Sequence, residues 1–493
     1  MRLLLILALA LPGLASAQVT ASAQSSAPAT LSLGDALNLA VRNNPGHLAT
    51  VNNRRTADAA VRAASGQLLP NADASLSASR QQGGRQIFGG TSLGASSDVN
   101  QSQYSIGIGY RINRATFITP RLQRASRNAV EADITGSAQK LRANVTQQYL
   151  AVLQAQDRAS LQDTLLIAAQ SQLVLAKARA LVGSGTQLDV SSAEVSVGQQ
   201  QVQVIQARNL IEIEKLRLFL YMGVEQPSDV VLTTKFGAFA EPPALDALVA
   251  SARANNPTIL AYRSREKVAD LNVRRSRSEY SPTLNVSTGI SGYTYSYANS
   301  DFLTQQAAAA SAQSQASCIR TEEVRAALKL SNELAACQAI TFTDAQASAL
   351  RSSNRQFPFN FQNSPKSITA SISLPLFDGF AREQRVQEAI ASSDDARFNV
   401  RAAELSLVAD VTGAYLTLQA AAKTATLQEQ NSAKAKLELK FTQDRYRTGS
   451  VTLVDLTTSR AAYERAESDR INAIYDYHKA YAALESAVGR PLR

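Results

Sequence analysis

The chain has 493 residues, with 50 Lys and Arg against 40 Asp and Glu, and it contains no Trp. The formal charge of +10 does not indicate a nucleic-acid partner, because the basic residues are scattered and no run of five occurs. Only 6% of the residues are aromatic, which is low for a large globular core. The abundance of Ala, Gln and Ser favours slender helices packed closely in bundles.

The N-terminus has the features of a secretory signal peptide. Arg2 precedes an apolar run over Leu3–Leu11, and the small residues Ala15-Ser16-Ala17 fit a cleavage site. We therefore expect residues 1–17 to be removed and the mature chain to start at Gln18. No Cys follows the cleavage site, so no lipid anchor is expected there. Beyond it, no apolar stretch approaches the roughly 20 residues that a membrane-crossing helix needs.

Two parts of the sequence repeat in a constant register. Asn43-Asn44-Pro45 recurs 212 positions later as Asn255-Asn256-Pro257, and farther along the spacing becomes 266. The pairs at the second spacing include Val145 and Val411, Tyr149 and Tyr415, Arg179 and Arg445, Gly183 and Gly449, Asp189 and Asp455, and Gly223 and Gly489. Such a register predicts two copies of one structural unit, over 18–240 and 241–493. The change of spacing indicates an insertion in the second copy.

Long proline-free stretches predict a helical hairpin in each copy. No Pro occurs from Arg121 to Gln226 or from Leu376 to Arg490, and both stretches are rich in Ala, Leu, Gln, Glu and Arg. Each is interrupted once, at Gly183-Ser184-Gly185 and at Thr448-Gly449-Ser450. The predicted hairpins span about 119–222 and about 381–488. A first arm of about 60 residues would run roughly 90 Å, which requires coiled-coil-like neighbours.

The remaining segments of each copy alternate with a period of two. The predicted strands span about 71–80, 104–113, 284–297 and 367–377. In the second of them, Tyr104, Ile106 and Ile108 alternate with Ser105 and Gly107, so one face is apolar and the other is small and polar. Strands of this kind in an exported chain are typical of transmembrane β-barrels.

Tyr293, Tyr295 and Tyr297 also recur at alternate positions. This pattern fits either an interfacial aromatic girdle or the edge of a tyrosine-rich soluble strand. Four strands cannot close a membrane barrel, since the smallest have about eight. An open edge in lipid would leave backbone groups unsatisfied, at several kcal/mol each. We therefore predict a trimer that pools twelve strands.

The insertion, over about 298–366, is predicted to be an extracellular loop. It contains both cysteines, Cys318 and Cys337, and export favours a disulfide between them. His47 and His478 are the only histidines and lie far apart in sequence. We therefore expect no metal, no cofactor and no His-based catalytic cluster.

The order of strand hairpin and long helical hairpin, repeated after a signal peptide, resembles the TolC family of outer-membrane efflux proteins. Its marks are the Asn-Asn-Pro pair, the strand exit Leu374–Gly379 and the segments around Gly183 and Gly449. The resemblance covers nearly the whole mature chain. It implies a mostly α, α+β homotrimer, with a 12-stranded β-barrel in outer-membrane lipid and an α-helical periplasmic tunnel.

The resemblance also implies a function and partners. The family forms the passive exit duct of tripartite efflux or type I secretion systems. It docks onto a periplasmic membrane-fusion adaptor and an inner-membrane transporter of RND or ABC type. The duct itself carries out no covalent chemistry, so no enzymatic activity is expected.

The helical turns are the candidate functional site. Gly183 and Gly449 are interpreted as turn residues. The resemblance implies that Asp455 lines the periplasmic entrance, where three copies would form a negatively charged selectivity ring. A helix-start Asp near the helix dipole is the simpler interpretation. The family's second acidic residue is replaced by Thr458, so a single ring is expected.

Asp189 matches the family's other aspartate at the turns, which holds the closed state by bonding to a neighbouring helix. Its tyrosine partner matches Tyr446. The assisting arginine of the family is replaced by Val451, and Arg445 is the candidate substitute. The resemblance therefore implies a gate contact that is wired differently in this chain.

Two other classes of protein fit these features less well. An enzyme would need convergent acid, base or nucleophilic groups, for which no motif is present. A periplasmic coiled-coil structural protein or adhesin would have the helices but not the strand hairpins. Leu181 and Val182 beside the first turn fit either adaptor contact or packing between helices. The exit duct is the function that these features favour.

Overall fold

The computed structural model describes residues 30–88, 91–95, 97–227, 229–236, 243–331 and 333–492. The predicted signal peptide and Gln18 lie outside the described residues. The strands are β1 (Thr30–Leu31), β2 (Asn71–Gln81), β3 (Arg85–Phe88), β4 (Thr91–Ala95), β5 (Val99–Ile112), β6 (Val231–Leu232), β7 (Thr283–Tyr297), β8 (Gln362–Asn363) and β9 (Ser367–Ser373). The α-helices are α1 (Leu33–Asn43), α2 (Pro45–Gly66), α3 (Arg114–Leu181), α4 (Gln187–Met222), α5 (Leu245–Asn255), α6 (Pro257–Arg277), α7 (Ser300–Ala327), α8 (Leu334–Gln338), α9 (Asp344–Ser353), α10 (Ala381–Arg447) and α11 (Leu453–Val488).

The chain divides into two compact units. The helical unit contains the described residues up to Val61, together with Leu122–Asp270 and the chain from Ala389 onward. The sheet unit contains Arg62–Arg121 and Leu271–Glu388. Most of the length of the four long helices belongs to the first unit, and the long strands belong to the second.

Helix boundaries repeat at the two spacings found in the sequence. The ends of α3 and α10, Leu181 and Arg447, lie 266 residues apart, and so do both ends of α4 and α11. The bounds of α1 and α5 lie 212 residues apart. The predicted fold class, a duplicated unit of β-hairpin and long helical hairpin that is mostly helical, is confirmed.

The repeated Asn-Asn-Pro motif closes the end of each helical hairpin. Asn44 Nδ2 donates to Tyr221 O at 2.9 Å, a carbonyl in the last turn of α4 that has no partner within its own helix. Gly223 follows with φ +70°, and a Cβ there would lie 2.5 Å from Asn43 O. The equivalent residues of the second copy are Asn256, Ala487 and Gly489. The motif and the distant glycine therefore repeat together because they contact each other.

Each copy has its own apolar core in the helical unit. The first core packs α1 and β1 against α3 and α4, and the second packs α5 against α10 and α11. Their fully buried members include Leu31, Tyr149, Phe219 and Met222 in the first and Leu248, Leu418, Tyr477 and Leu484 in the second. Burial of such side chains contributes about 1.5–3 kcal/mol each, so the short helices are fixed to the long ones.

Rows of apolar side chains on the long helices remain exposed in the single chain. On α3 and α4 they recur every seven residues, and on α10 every eleven. The rows are Ile167, Val174 and Leu181, then Leu188, Val195 and Val202, then Leu405, Leu416 and Leu427. Their exposed fractions run from 49% to 88%. Such spacings keep one stripe aligned along a helix, which is typical of packing against further helices.

One helix among the described residues is long and apolar enough to cross a membrane by length and composition. It is α10, in which an 18-residue window has a mean hydropathy of 1.2 and is 17% buried. By this measure of length and composition, the expectation that no segment beyond the signal peptide resembles a membrane-crossing helix is wrong. The window lies in the helix that carries the eleven-residue row, where Ala and Leu raise the hydropathy.

The long strands of the sheet unit form one antiparallel sheet in the order β2, β5, β7, β9, and β8 also pairs with β7. The strands β3 and β4 pair with each other. In the register of the main sheet, Tyr104 lies opposite Leu76 on one side and Gly292 on the other, and Leu284 lies opposite Ile372. Even-numbered residues of all four strands therefore share one face.

The two faces of this sheet differ in chemistry. The even face is apolar over most of its length, and its large side chains are exposed, from 43% at Ile290 to 79% at Ile368. They include Leu76, Ile106, Ile108, Ile290, Ile368 and Ile372. The odd face carries Ser, Thr, Asn and Gly at the corresponding positions. Apolar surface that faces no other part of this sheet unit requires a partner or lipid.

The tyrosines of β7 lie on the odd face. Tyr293 pairs with Gln103 and Tyr295 with Gln101, and both lie on the same face as Ser287 and Ser291 of β7. This contradicts the interpretation of Tyr293, Tyr295 and Tyr297 as an interfacial girdle, since a girdle lies on the apolar face. The period of two within β7 already separates the tyrosines from Leu284, Val286 and Ile290, and the pairing agrees with it.

The insertion between β7 and β9 is largely helical, whereas a loop was expected over 298–366. It contains α7, α8 and α9. Cys318 of α7 and Cys337 of α8 are joined by a disulfide with a Cα–Cα distance of 5.5 Å. Capping hydrogen bonds from Asn299 and Thr343 start α7 and α9.

Candidate entrance site at the helical tips

The first tip, residues 182–186, joins α3 to α4. Gly183 has φ +77°, a conformation that favours glycine, and it reverses the chain. Ser184 N and Gly185 N both donate to Arg179 O, at 2.9 and 3.1 Å. These bonds satisfy a carbonyl of the last turn of α3, so the turn is closed by its own backbone.

The second tip, residues 448–452, joins α10 to α11 in the same way. Gly449 has φ +75°, and Ser450 N donates to Arg445 O at 2.9 Å. Gly449 N donates to Tyr446 O at 3.0 Å. The interpretation of both glycines as turn residues agrees with this backbone geometry.

Both tip aspartates form capping boxes with a threonine. Asp189 Oδ2 accepts from Thr186 N at 2.9 Å and from Thr186 Oγ1 at 2.8 Å. Asp455 Oδ2 accepts from Thr452 N at 2.9 Å and from Thr452 Oγ1 at 2.7 Å. In return, each aspartate N–H donates to the threonine hydroxyl. The aspartates thus occupy the third position of α4 and α11, where a carboxylate also favours the helix dipole.

Hydrogen bonding holds both carboxylates in the charged form. The backbone N–H of Thr186, then its hydroxyl, lowers the pKa of Asp189. The hydroxyl of Thr452, then its backbone N–H, lowers the pKa of Asp455, and Arg445 lowers it further by charge. Asp455 is exposed to solvent. It therefore presents a full negative charge at neutral pH while it caps its helix.

Arg179 connects the two tips. Its Nη2 donates to Tyr446 O at 2.7 Å and to Arg447 O at 3.3 Å. Its guanidinium also lies 4.5 Å from the centroid of the Tyr446 ring, which is 6% exposed. These carbonyls belong to the last turn of α10, so a cation from α3 completes the end of the other long helix.

The predicted gate residues are placed differently from one another. Asp189 bonds to Thr186, and Tyr446 contacts Arg179, so no hydrogen bond between Asp189 and Tyr446 occurs in the described part of this chain. Arg445 is exposed and, among the described residues, makes no side-chain hydrogen bond or ion pair. Its positive charge lowers the pKa of Asp455.

The two tips present different surfaces to solvent. At the first tip, Leu181, Val182 and Leu188 are 88%, 77% and 75% exposed. At the second tip the equivalent positions hold Arg447, Thr448 and Val454, of which only the valine is apolar. The first tip is therefore an apolar projection and the second a mostly polar one.

Val451 and Thr458 flank the second capping box. Val451 is half-buried and Thr458 is exposed. Neither is a charged group, so Asp455 is the acidic residue of the first turn of α11. The expectation of a single acidic position at this tip stays a prediction for the assembled protein.

Arg179 is the contact that the sequence did not indicate. Arg179 and Arg445 are equivalent positions of the repeat, and a repeat predicts equal roles for its two members. The asymmetry that matters lies one position later, where the second copy has Tyr446 and the first has Ala180. Only the second copy can place a ring beneath the guanidinium of the other.

The histidines lie apart from the tips and from each other in the helical unit. His47 Nδ1 lies 3.1 Å from Ser137 Oγ, and the ring of His478 lies 5.0 Å from that of Phe236. Within the described residues, no group of three His, Cys, Asp or Glu side chains is placed to hold a metal ion.

The family model for outer membrane efflux proteins matches residues 36–224 and 342–490. The chain belongs to this family. It is 24% identical to the outer membrane protein TolC of Vibrio cholerae over 461 residues, which cover 93% of this chain and 90% of TolC. It is therefore an outer-membrane efflux channel protein that extends into the periplasm, and members of the family are channels rather than enzymes.

Solved structures share the fold at low identity. The Campylobacter jejuni CmeC outer membrane channel superposes with a TM-score of 0.70 at 15% identity, covering 93% of this chain and 85% of that chain. The open state of the Neisseria gonorrhoeae MtrE outer membrane channel gives 0.67 at 16% identity, covering 94% and 89%. The duplicated helical hairpin with its four long strands is thus a fold found in outer membrane channels.

Proposed function

We propose that three copies of this chain form a single efflux duct, with a twelve-stranded barrel in the outer membrane and a helical tunnel in the periplasm. The observation that carries the proposal is the sheet of four long strands, apolar and exposed on one face and polar on the other. Among the described residues, β2 and β9 each pair along one side only. In lipid those open edges need partners, and a neighbouring copy supplies them.

The helical unit supports the same assembly. The exposed seven-residue rows on α3 and α4 and the eleven-residue row on α10 need neighbouring helices. In a trimer, two helical hairpins from each chain supply those neighbours in a closed ring. The exposed apolar window of α10 is then buried between helices rather than in the bilayer.

The tips supply the entrance and the contact with partners. In this proposal Asp455 faces the axis, and three copies of it form a negatively charged ring that favours cations. Arg179 and Tyr446 hold the two tips of each chain together. The apolar first tip docks onto a periplasmic adaptor, which links the duct to an inner-membrane transporter. Family members work in such tripartite systems, and this supports the assignment.

Opposite faces of β9 provide a direct test. Ile368 lies on the apolar face, is 79% exposed and is level with Ile108 in the register, whereas its neighbour Thr369 lies on the polar face. A lysine on the lipid face of a barrel costs about 2–4 kcal/mol near the bilayer centre, whereas a lysine on the pore face is tolerated. Ile368→Lys should therefore abolish the trimer seen on unheated detergent gels, and Thr369→Lys should preserve it.

The control for oligomeric state is the unchanged protein. Analytical ultracentrifugation in mild detergent should show one species with three times the mass of the chain. A stable monomer under those conditions contradicts the proposal, as would equal tolerance of lysine at both positions.

A further inference from the structure

The even face of the sheet changes character near the end where the insertion joins β7 to β9. Below that point the face is apolar, with Ile106, Ile108 and Ile290 exposed. Above Tyr104, the next even positions on β5 and β7 hold small polar residues. They are Ser102, Thr294 and Ser296, and each is less than 10% exposed.

These polar positions are buried by one part of the insertion, residues 354–366, which we call the collar segment. Ser102 Oγ donates to Pro358 O at 2.6 Å, and Ser296 Oγ donates to Asn354 O. Asn354 also bonds to both backbone groups of Tyr297, at 2.7 and 2.8 Å. The collar segment is therefore fixed to the same face that is apolar farther along the strands.

An aromatic contact marks the boundary between the two zones. Tyr104 donates to Asn363 Oδ1 at 2.8 Å, and its ring meets the Phe361 ring edge to face at 4.9 Å. Gly292 lies opposite Tyr104, and a Cβ there would lie 2.5 Å from that ring and 3.0 Å from Gln362 O. The glycine makes room for the collar segment to approach the sheet.

The outer side of the collar segment combines exposed aromatic rings with positive charge. Phe359 is 73% exposed and Phe357 39% exposed. Arg355 and Lys366 are exposed and form no ion pair among the described residues, and the segment contains no Asp or Glu. Aromatic rings beside cations at the rim of an apolar band are the composition that proteins place at a membrane interface.

We propose that the collar segment binds the headgroup region of the outer leaflet, with Phe357 and Phe359 at the level of the upper acyl chains and with Arg355 and Lys366 on the phosphates of anionic lipid. This inference rests on the proposed function in one respect, that the even face of the sheet is the lipid face. The occupant follows from continuity with that face and from the charge of the segment. The insertion thus spreads over the membrane around the barrel and does not fold across its mouth.

The absence of Trp from the sequence allows a direct depth measurement. Three variants, Phe359→Trp, Ile108→Trp and Tyr293→Trp, each contain a single tryptophan. They report on the collar segment, the middle of the apolar face and the polar face. Each is reconstituted as the full-length trimer into vesicles of phosphatidylcholine that is brominated either near the headgroup end or near the methyl end of its acyl chains. Contact with bromine quenches tryptophan fluorescence.

The expected pattern separates this inference from the proposed function. Phe359→Trp should be quenched severalfold more by shallow than by deep bromine, Ile108→Trp should show the reverse, and Tyr293→Trp should be quenched by neither. Quenching at Ile108→Trp without quenching at Phe359→Trp would overturn the collar inference alone. Absence of quenching at Ile108→Trp would overturn the lipid-facing sheet itself.

The role of charge is tested in the Phe359→Trp background. A small fraction of brominated phosphatidylglycerol in unlabelled phosphatidylcholine should quench about fivefold more than the same fraction of brominated phosphatidylcholine, since cations enrich anionic lipid near a surface. Arg355→Gln with Lys366→Gln should remove this preference. Arg320→Gln with Lys329→Gln, in another part of the insertion, should leave it unchanged. An equal preference in both double variants contradicts recognition by the collar segment.

Discussion

The first and second tips have the same backbone and different surfaces. Both reverse at a glycine with positive φ, both satisfy the carbonyl of an arginine four residues earlier, and both start the next helix with a Thr–Asp capping box. Yet Arg179 reaches across to the second tip, whereas the equivalent Arg445 remains exposed. The first tip also projects Leu181 and Val182, where the second has Arg447 and Thr448.

This difference shows which residues stayed the same after the duplication and which ones changed. The residues that make the turn are kept in both copies because each turn needs them. The residues that face outward have diverged. The first tip has an apolar surface and Arg179, and the second tip has Tyr446, whose ring contacts the Arg179 guanidinium. We therefore expect substitutions at equivalent positions of the two tips to affect function unequally but to affect the stability of the two turns equally.

The largest expected inequality concerns partner docking. Val182→Ser removes from the first tip an exposed apolar side chain that belongs to none of the seven-residue rows, and such a side chain contributes about 1.5–3 kcal/mol when buried by a partner. Co-purification of the adaptor should fall more than tenfold, while single-channel conductance in bilayers stays unchanged. The matched control is Val454→Ser at the second tip, which should retain binding. Equal loss in both variants would remove the distinction between the tips.

The next inequality concerns closure of the entrance. Arg179→Ala removes a stack on Tyr446 and hydrogen bonds from a charged group, which contribute on the order of 1–3 kcal/mol in such settings. We expect a several-fold rise in conductance in planar bilayers. Arg445→Ala should change conductance little, because no contact within the chain is lost. Tyr446→Phe should also be mild, since Arg179 meets the ring and the backbone carbonyl. A large rise in conductance for Arg445→Ala would indicate that Arg445 contacts another chain of the trimer.

The third inequality concerns charge. Asp455→Asn should reduce cation selectivity and weaken block by trivalent cations, whereas Asp189→Asn should leave selectivity near that of the unchanged channel. The pKa of Asp455 is lowered by its hydrogen bonds, so the carboxylate stays charged to more acidic pH than a free Asp. Selectivity should therefore persist at about pH 5 and disappear only as the pH falls through the lowered value. If Asp455→Asn leaves the reversal potential unchanged, the residue acts only as a helix cap.

The smallest effect should be equal at the two tips. Thr186→Ala removes the hydroxyl of the first capping box, and loss of such a cap costs about 0.5–2 kcal/mol locally. Amide exchange in the first turn of α4 should accelerate, and Thr452→Ala should do the same for α11. Hydrogen-exchange mass spectrometry of each variant measures both. A marked difference between the two would show that the turns are not equivalent in the assembled protein.

The features predicted well from the sequence were those set by local chemistry or by repetition. Long helices without proline, strands with a period of two and glycine turns each follow from backbone preferences that a short window contains. The 266-residue register extended those preferences over the whole helical hairpin. The capping boxes were also within reach, because Thr186 and Asp189 have the three-residue spacing that the motif requires.

The features that the sequence did not reveal depend on pairing between distant segments. The order of the long strands, in which β7 lies between β5 and β9, is set by pairings between distant segments that no local pattern encodes. The Arg179–Tyr446 contact joins residues from different copies. The helical content of the insertion was missed because its Ala, Ser and Gln residues lack an apolar period. Pairwise geometry, rather than local propensity, decided the first two of these cases.

The shortness of the tips also bears on the order in which the chain folds. Only residues 182–186 separate α3 from α4, and only residues 448–452 separate α10 from α11, so the entropy lost on closing each turn is small. Each turn can form early from contacts between near neighbours. Packing between the two helices can then extend from the turn along the hairpin. The sheet, whose pairings join residues up to about two hundred positions apart, follows late. We therefore expect a nascent protomer to acquire its helical hairpins in the periplasm well before its strands have edges to join.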